Sequence, residues 1–379
     1  MSLFLSRLRL EVRRSSSVSL LLSKGFSTSL RQTPPCSIMG AFPREDGGLR
    51  RLAVAYAHKP SVTQLDKVIP LGLGLVFNCY DDDDLDDEKT LTIGASHGWV
   101  ATLKKDGILR LQDDFNPVAS DANPKRIPLP PLVTLPHCQT NIITNVSMSS
   151  SSPEDDEDCV VAVKFLGPQL SFCKPAAGQS RPEWTNIKIE NPCFFSSRVM
   201  YSEKDNMFRI PGSGGHLIGS WDPCNPSDDP KLHKVEFQNL PKLPMATREL
   251  MDSCFTSEHL VESRPTGETF LVKQYKKTAK NKEGVDIMKT EFLMVFKLDD
   301  EGNAVCIQRM GDLNMFLSMS EPFCVLASSF PGMLSSTVHI YDYDDMGYVY
   351  MDDFPFHIYR VSGPHLVPYQ IPPQDIIEN

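Results

Sequence analysis

The sequence predicts an all-β fold of the β-propeller kind with diverged blades, preceded by an unstructured targeting leader. Short segments rich in β-branched and aromatic residues recur along the chain, and turn signals such as Lys105-Asp106-Gly107 and Asp300-Glu301-Gly302-Asn303 separate them. Sustained helical periodicity is scarce. Many short antiparallel strands with tight turns are typical of sandwiches, barrels and propellers.

The leader is the first element along the chain. Residues 1–31 contain six basic side chains and a single acid, Glu11, interleaved with many serines and leucines. That composition is typical of an organellar transit peptide, whereas Leu20-Leu21-Leu22 is too short for the apolar core of a secretory signal. A Lys-Gly-Phe sequence ending at Phe26 and followed by Ser27 resembles a plant mitochondrial processing site, which predicts cleavage between these two residues. A disordered basic tail is the alternative interpretation.

The leader predicts a mitochondrial protein, with the matrix as the expected compartment. Dual targeting to chloroplasts stays open, because Ser-rich leaders are ambiguous between the two organelles. The predicted organisation is a transit peptide at 1–26, a flexible leader at 27–59, a propeller-like domain at 60–361 and a C-terminal tail at 362–379.

Composition limits the function classes. The 379 residues carry a formal net charge of −10, and since the leader holds six basic side chains and one acid, the remainder carries about −15. A body this acidic argues against nucleic-acid binding. No apolar run approaches the ~18 residues that span a bilayer, so membrane insertion is not expected. The ten cysteines lack CxxC or zinc-finger spacing and are expected to be free thiols.

The predicted strands of the body share a length of about three to eight residues and an enrichment in β-branched and aromatic side chains. They are Leu73–Tyr80, Thr90–Ile93, Trp99–Leu103, Ile108–Leu111, Val160–Phe165, Leu170–Cys173, Thr185–Ile189, Val199–Ser202, Met207–Ile210, His216–Trp221, Leu260–Glu262, Phe270–Tyr275, Phe292–Leu298, Val305–Met310, Val338–Tyr343, Tyr348–Met351 and Phe356–Val361. One short helix is predicted at Met245–Cys254. A propeller uses about 40–50 residues per blade, so about six to eight blades fit. Trp221-Asp222 is a single Trp-Asp dipeptide, so the repeats have diverged from a regular WD40 array.

Two acidic runs interrupt the strand pattern. The first spans 81–88 and includes Asp81, Asp83 and Asp86; the second spans 154–158 and includes Glu154 and Asp156. Adjacent carboxylates repel one another and hydrate strongly, which predicts solvated hairpin loops that are candidates for partner binding. A calcium role is the alternative, but neither run contains the glycine of an EF-hand loop.

Two further loops are candidate interaction sites. Gly212, Ser213 and Gly214 lie in a glycine-rich stretch that matches neither a P-loop nor a nucleophile elbow, so a hairpin turn is favoured over a phosphate cradle. Lys276 and Lys277 belong to a basic stretch that is expected to form a long solvated hairpin loop and could contact an anionic partner.

No constellation carries recognisable chemistry, so no catalytic, cofactor-binding or metal-binding residue is assigned. His97 precedes Trp99 as in the Gly-His element of propeller blades, where the histidine commonly joins a structural hydrogen-bond network. A catalytic base is the alternative, because histidine titrates near neutral pH. The remaining histidines form no HxH or HExxH set, and no cofactor is expected.

The body resembles a known family in the order of several short motifs. These are His97-Gly98-Trp99-Val100, Asp106–Leu111, Asn116-Pro117, Arg126–Leu132, Glu183-Trp184-Thr185, Met207–Ile210, His259–Ser263, Phe296–Asp299 and Gly311–Leu317. Together they resemble the plant F-box-associated β-propeller family, domain of unknown function 295, and in particular its organellar branch. The resemblance covers residues 60–360. A transit-like leader stands where ligase adaptors of that family carry an F-box, so their adaptor role is not carried over.

The leading functional hypothesis is a mitochondrial, non-catalytic β-propeller that acts as an interaction or scaffold module for an unknown protein partner. The resemblance supplies no active site, since the family has no agreed catalytic residues. Two alternatives stay open: an enzyme whose site assembles in the propeller channel, and a relative of the ubiquitin-ligase adaptors outside mitochondria. Convergent carboxylates or histidines in the channel would favour the enzyme.

Overall fold

Six sheets of four or five strands make up the fold in the computed structural model, which describes residues 32–43, 49–59, 61–70, 90–104, 106–138, 142–175, 181–281, 284–343, 345–353, 357–361 and 368–376. The first strands in chain order are β1 Cys36–Pro43, β2 Leu49–Tyr56, β3 Val62–Pro70, β4 Leu91–Ser96, β5 Trp99–Leu103, β6 Ile108–Gln112, β7 Arg126–Pro131, β8 Ile143–Met148, β9 Val161–Phe165, β10 Gln169–Cys173, β11 Thr185–Lys188, β12 Met200–Ser202, β13 Met207–Pro211, β14 Leu217–Trp221, β15 Lys231–Lys234 and β16 Glu236–Gln238.

One short α-helix lies in the described part of the chain, α1 Met245–Asp252, and it separates these strands from the rest. The later strands are β17 Phe255–Ser263, β18 Glu268–Lys280, β19 Asp286–Leu298, β20 Asn303–Ile307, β21 Leu313–Ser318, β22 Phe323–Leu326, β23 Thr337–Tyr341, β24 Met346–Tyr350, β25 Ile358–Arg360 and β26 Gln370–Ile371. Two 3-10 turns lie at Pro192–Phe194 and Ala327–Ser329. The predicted all-β propeller is confirmed, and so is the predicted helix.

The sheets are the blades of a six-bladed propeller. Blade 1 has the strand order β26-β1-β2-β3, and blades 2, 3 and 4 contain β4–β7, β8–β11 and β12–β15. Blade 5 has the order β17-β18-β19-β20-β16, and blade 6 has the order β22-β21-β23-β24-β25. The end strands β26, β4, β8, β12 and β17 pack against their neighbours in adjacent blades and line the central channel.

The structure differs from the predicted domain boundaries at both ends of the body. Strands β1 and β2 lie in the segment predicted as a flexible leader, and β26 lies in the predicted C-terminal tail. Cys36 pairs with Ile371 and Ser37 with Gln370, so the two ends of the chain share blade 1 and close the ring. The predicted strand Leu73–Tyr80 lies outside the described residues.

Apolar side chains fill the spaces between neighbouring blades. Between blades 2 and 3, the strands β4 and β8 approach so closely that a Cβ atom on Gly94 would lie 2.7 Å from the backbone nitrogen of Val146. Between blades 3 and 4, Phe194 packs edge-on against the buried Trp221, with ring centroids 5.7 Å apart. The inner strands therefore need small residues where they touch, while aromatic residues fill the wider spaces.

An aromatic ladder crosses all five strands of blade 6. Phe323, Phe316, His339, Tyr348 and Tyr359 stand opposite one another in register on successive strands. Their ring centroids are 4.7, 4.5, 6.4 and 5.2 Å apart in that order. Cross-strand aromatic pairs of this kind stabilise a sheet. The blade is also irregular in topology, because β21 and β23 pair in parallel.

Candidate functional site

The predicted acidic loops divide into one that the structure describes and one that it does not. Asp81, Asp83 and Asp86 lie outside the described residues. Glu154 and Asp156 lie in turns between β8 and β9, as predicted, and Lys125 forms an ion pair with Glu154 at 2.8 Å. The second acidic run is therefore a hairpin loop with an exposed carboxylate surface.

The glycine-rich stretch is a hairpin turn, as predicted. Gly214 and Gly215 have φ angles of +82° and +72°, which favour glycine. Every backbone N–H from Gly212 to Gly215 donates to a protein acceptor, among them the carboxylate of Glu258, which lies 2.9 Å from the nitrogen of Gly214. Because these amides are already used, the turn is not a phosphate cradle.

The prediction of a long solvated loop at Lys273–Gly284 is wrong. Residues up to Lys280 belong to β18, which pairs with β19 over twelve residue pairs, and Tyr275 and Phe292 pack within this hairpin. Lys276 forms an ion pair with Asp342 of blade 6. Lys277 is exposed and donates to the hydroxyl of Ser253 at 3.2 Å. The segment Phe270–Tyr275 was predicted as a strand, and β18 continues beyond it through Lys280.

Residues 319–322, which we call the channel segment, lie across the central channel. The backbone nitrogen of Glu321 donates to the carbonyl oxygen of Ala95 in blade 2, and that of Met319 donates to the carbonyl oxygen of Pro368. The carboxylate of Glu321 accepts hydrogen bonds from Ser96 Oγ (2.6 Å), Ser147 Oγ (2.7 Å) and the N–H of Tyr201 (2.8 Å). One carboxylate thus joins blades 2, 3 and 4 to blade 6.

His97 connects this carboxylate to the surface of one channel mouth, which encloses a cavity of about 250 Å³. Arg264 donates to Nε2 of His97, so Nδ1 carries the ring proton and donates to Ser96 Oγ at 2.7 Å. Burial and the nearby Arg264 cation lower the pKa of His97 to about 3, so the ring is neutral near pH 7. Arg264 also pairs with Glu203 at 2.8 Å. His97 therefore joins a structural network of the kind that was predicted.

The opposite mouth encloses a second cavity of about 310 Å³, which we call the arginine cavity. It lies where β8, β12 and β17 begin, and its lining includes Arg198, His259 and Lys276. Arg198 donates to the carbonyl oxygen of Ser318 and, at 2.7 Å, to Sδ of Met319. Burial, the Arg198 cation and the Lys276 cation lower the pKa of His259 to about 3. The cavity therefore combines two cations with a neutral imidazole.

Sequence reasoning did not single out Arg198, Glu321 or His259 as site residues. Their partners are far away in sequence: Arg198 and Ser318 are 120 positions apart, and Ser147 and Glu321 are 174 positions apart. The weak local signal is a polar residue beside an inner strand, as in Ser197-Arg198 before β12.

A projecting surface lies on blade 5. Phe255 pairs with Lys276, so the last part of β18 and the start of β19 extend beyond β17. Phe255 is 69% exposed and Val285, at the hairpin tip, is 58% exposed. Helix α1 has no buried residue, and its Met245 is 76% exposed. We call Met245, Phe255, Lys277 and Val285 the hairpin face.

The described residues offer few features of other functional classes. No group of three or more His, Cys, Asp or Glu side chains among them is arranged to hold a metal ion. No helix in the described part of the chain has the length and apolar character that crossing a membrane requires. Cys36, Cys159, Cys173, Cys193, Cys224, Cys254, Cys306 and Cys324 are free thiols, as predicted.

Comparisons with known proteins give one family. A family model described as "KIB1-4 beta-propeller" matches residues 78–359. No curated protein matches the chain. The match includes blades 2 to 5, nearly all of blade 6 and the whole lining of the arginine cavity.

Three solved structures are similar to the chain at low identity. A streptogramin B lyase is 10% identical with a TM-score of 0.30, covering 72% of this chain and 85% of the other. Hsv2 of Kluyvelomyces marxianus is 8% identical with a TM-score of 0.26, covering 69% and 98%. A structural genomics protein of unknown function from Bacteroides thetaiotaomicron is 11% identical with a TM-score of 0.34, covering 88% and 80%. These likenesses carry no inference about function.

Proposed function

The chain belongs to the KIB1-4 β-propeller family, and we propose that it is a non-catalytic protein-interaction module of mitochondria. An interaction role is the kind of role that this fold supports, because a propeller presents rigid rims of loops to partners. The observation that carries the proposal is the hairpin face on blade 5.

The geometry of the long hairpin favours partner binding. Strands β18 and β19 have 13 residues each, against five in β20 beside them. Residues 277–280 extend past the pairing with β17, which projects the tip by about 13 Å at ~3.3 Å per residue. Phe255 at the base of the projection and Val285 at its tip expose large apolar side chains. Exposed apolar surface rimmed by charged side chains is typical of protein-binding sites.

Contacts at its base hold the hairpin in place, so the hairpin loses less conformational entropy when a partner binds. Lys276 pairs with Asp342, and Arg360 donates to the carbonyl oxygen of Thr290 (2.6 Å) and to Asp345 (2.6 Å) in the neighbouring blade. A pre-ordered surface loses less conformational freedom on binding. The hairpin face is therefore suited to a folded or extended protein partner.

The non-catalytic part of the proposal rests on the state of the channel carboxylate. Glu321 is bound by three donors from three blades, and burial raises its pKa despite the hydrogen bonds from Ser96, Tyr201 and Ser147. Glu321 lines the cavity at its channel mouth together with His97, Glu203 and Glu262, but its hydrogen bonds to three blades favour a structural role over catalysis. The mitochondrial part rests on the basic, serine-rich leader at 1–31. The F-box-associated family and its organellar branch stay a prediction.

Affinity capture from isolated mitochondria tests the interaction role. The imported, tagged full-length chain is compared with Phe255→Ser/Val285→Ser and with the matched control Phe42→Ser/Val133→Ser, which removes similar exposed side chains from other blades. We expect one set of partners to be retained by the control and lost from the hairpin variant. Equal capture by both variants would contradict the hairpin face.

Localisation is tested separately with the tagged full-length chain and a version lacking residues 1–32. We expect a mitochondrial signal and a mature N-terminus at Ser27, both lost on deletion. A cytosolic or nuclear signal with Met1 intact would overturn the mitochondrial part of the proposal and favour a ligase-adaptor relative.

A further inference from the structure

The arginine cavity contains a cation that lacks a direct counter-ion. Arg198 is half-buried and its two bonded acceptors, the carbonyl oxygen of Ser318 and Sδ of Met319, are neutral. Among the described residues, no carboxylate forms an ion pair with it. Guanidinium groups removed from water are normally paired with an anion, because desolvation alone costs several kcal/mol. Arg198 also keeps donor groups beyond the two that are used.

A second polar group of the same cavity is unsatisfied. His259 is 6% exposed, and its Nδ1 atom is buried without a hydrogen-bond partner. Its Nε2 atom lies 3.2 Å from both Ser257 Oγ and Gln274 Oε1, which fixes the ring. Gln274 Oε1 can only accept, so Nε2 carries the ring proton and Nδ1 is a buried acceptor, which a hydroxyl or protonated oxygen of a ligand would satisfy.

The remaining charges around the cavity are already engaged. Lys276 lines the cavity and is paired with Asp342. Glu258 also lines it, and its carboxylate accepts the N–H of Gly214 at 2.9 Å. Burial opposes ionisation of Asp342, but Lys276 and Arg198 hold its pKa below the usual range. Asp342 therefore attracts Arg198 at longer range, but among the described residues no carboxylate contacts the guanidinium directly, and its unused N–H groups are the donors that an added anion would meet.

The shape and the other lining groups suit a small ligand with an oxygen-based charge. The volume of about 310 Å³ falls at the lower end of the range for small-molecule sites. Hydroxyl groups are frequent in the lining, which contains Thr144, Ser196, Ser197, Thr256 and Ser257. Hydroxyl and guanidinium donors together are typical of carboxylate and phosphate recognition.

We propose that the arginine cavity binds a small oxyanion, a carboxylate or phosphate group carried by a metabolite-sized molecule, with Arg198 as the principal cation. Arg198 offers its unused N–H donors, the lining hydroxyls donate further hydrogen bonds, and Lys276 adds longer-range attraction. The ligand occupies the channel mouth opposite Arg264 and bridges blades 3, 4 and 5. The arginine cavity and the hairpin face are close to each other only near Lys276. A failure of the anion-binding proposal would therefore leave the partner-binding proposal intact, and the reverse also holds.

Calorimetric titration of the full-length chain tests the proposal, with inorganic phosphate and succinate as probes in buffers of equal ionic strength set with sodium chloride. The two arms separate a phosphate site from a dicarboxylate site. We expect saturable binding of at least one probe at a single site, and a rise in the thermal unfolding midpoint with that probe, because a ligand that binds only the folded state stabilises it.

Three variants decide whether the site is the arginine cavity. Arg198→Met removes the cation and is expected to weaken binding at least tenfold, and Lys276→Met to weaken it several-fold. Lys277→Met removes the same charge one residue away, on the exposed side, and is expected to leave the affinity unchanged. If Arg198→Met fails to fold, the comparison of Lys276→Met with Lys277→Met decides. Absence of saturable binding by the wild type, or equal loss in both lysine variants, would overturn the proposal.

Discussion

The hydroxyl of Tyr341 donates a 2.5 Å hydrogen bond to the carbonyl oxygen of Ile38, which joins blade 6 to blade 1 across 303 residues of sequence. The acceptor lies at a bulge in β1, where the register shifts between Ile38 and Gly40. A bulge interrupts the regular hydrogen bonding between two strands. Here the backbone beside the bulge accepts a hydrogen bond from the neighbouring blade. The pair is buried and lies beside the closure of the ring.

Replacing Tyr341 by phenylalanine is expected to destabilise the propeller. The change removes one donor and leaves the carbonyl oxygen of Ile38 buried without this partner, which costs about 1–3 kcal/mol. Urea unfolding followed by circular dichroism measures the effect. The control is Tyr359→Phe, which removes a hydroxyl at the exposed end of the aromatic ladder. Equal unfolding midpoints for both variants would contradict a role of Tyr341 in closure.

Replacing Glu321 by alanine is expected to loosen the channel. Ser96, Ser147 and the N–H of Tyr201 all lose their shared acceptor, and unpaired buried donors cost about 1–3 kcal/mol each before relaxation. We expect a total loss of about 2–4 kcal/mol in the free energy of unfolding. The exposed Glu301→Ala is the control. A loss no greater than that of the control would show that the channel segment does not hold the blades together.

We expect Lys164 to make the stability of the protein depend on pH above neutrality. The side chain is fully buried, Nζ donates to the carbonyl oxygens of Gly167 and Phe195, both at 3.0 Å, and burial lowers its pKa from 10.5 to about 7. Between about pH 7 and 10.5 the unfolded chain keeps a proton that the folded chain has lost. Stability therefore rises with pH in this window, by at most about 1.4 kcal/mol per pH unit.

The comparison that isolates this effect is the wild type against Lys164→Met. Urea unfolding at pH 7.5, 8.5 and 9.5 is expected to show the wild type gaining stability relative to the variant at each step. All other titrating groups are shared and cancel in the difference. Parallel pH profiles would mean that Lys164 keeps its proton throughout, held by the carbonyl oxygens around it.

Replacing Gly94 by alanine is expected to separate blades 2 and 3. The added Cβ would lie 2.7 Å from the nitrogen and 3.0 Å from the Cβ of Val146, so one inner strand must move. Overpacking of this kind costs about 1–3 kcal/mol. Gly267→Ala is the control, because nothing lies within 4 Å of its added Cβ, although its φ of +68° costs about 1 kcal/mol. An unfolding midpoint for Gly94→Ala at or above that of the control would contradict tight contact between the blades.

Local features of the fold could be predicted from sequence because local physics determines them. The turn at Gly212–Gly215 needs positive φ angles, and the strands on either side of it have apolar residues at the expected spacing. The helix that begins at Met245 could also be predicted from its local sequence. By contrast, β1 and β26 pair across more than 330 residues, and β26 has only two residues, so no local pattern marks either as part of a blade.

The candidate site was harder to predict than the fold. Lys276 and Lys277 differ in role although they are neighbours: alternation along β18 places one against Asp342 and leaves the other in solvent. From composition alone, Lys276 and Lys277 can be recognised only as two basic residues. Arg198 acquires its importance from the neutral acceptors that blade 6 brings to it, and that arrangement exists only in the closed ring.

The pairing of β26 with β1 has a consequence for biogenesis. A ribosome finishes β1 long before it makes Gln370 and Ile371, so blade 1 cannot be complete while the chain is being synthesised. The backbone N–H and C=O groups at the edge of β1 that pair with β26 stay unpaired for that whole time, and they are accessible to chaperones and to other nascent chains. A premature stop that removes only the last ten residues would delete β26 and leave blade 1 incomplete. We expect quality-control proteases to degrade such a chain although it is nearly full-length.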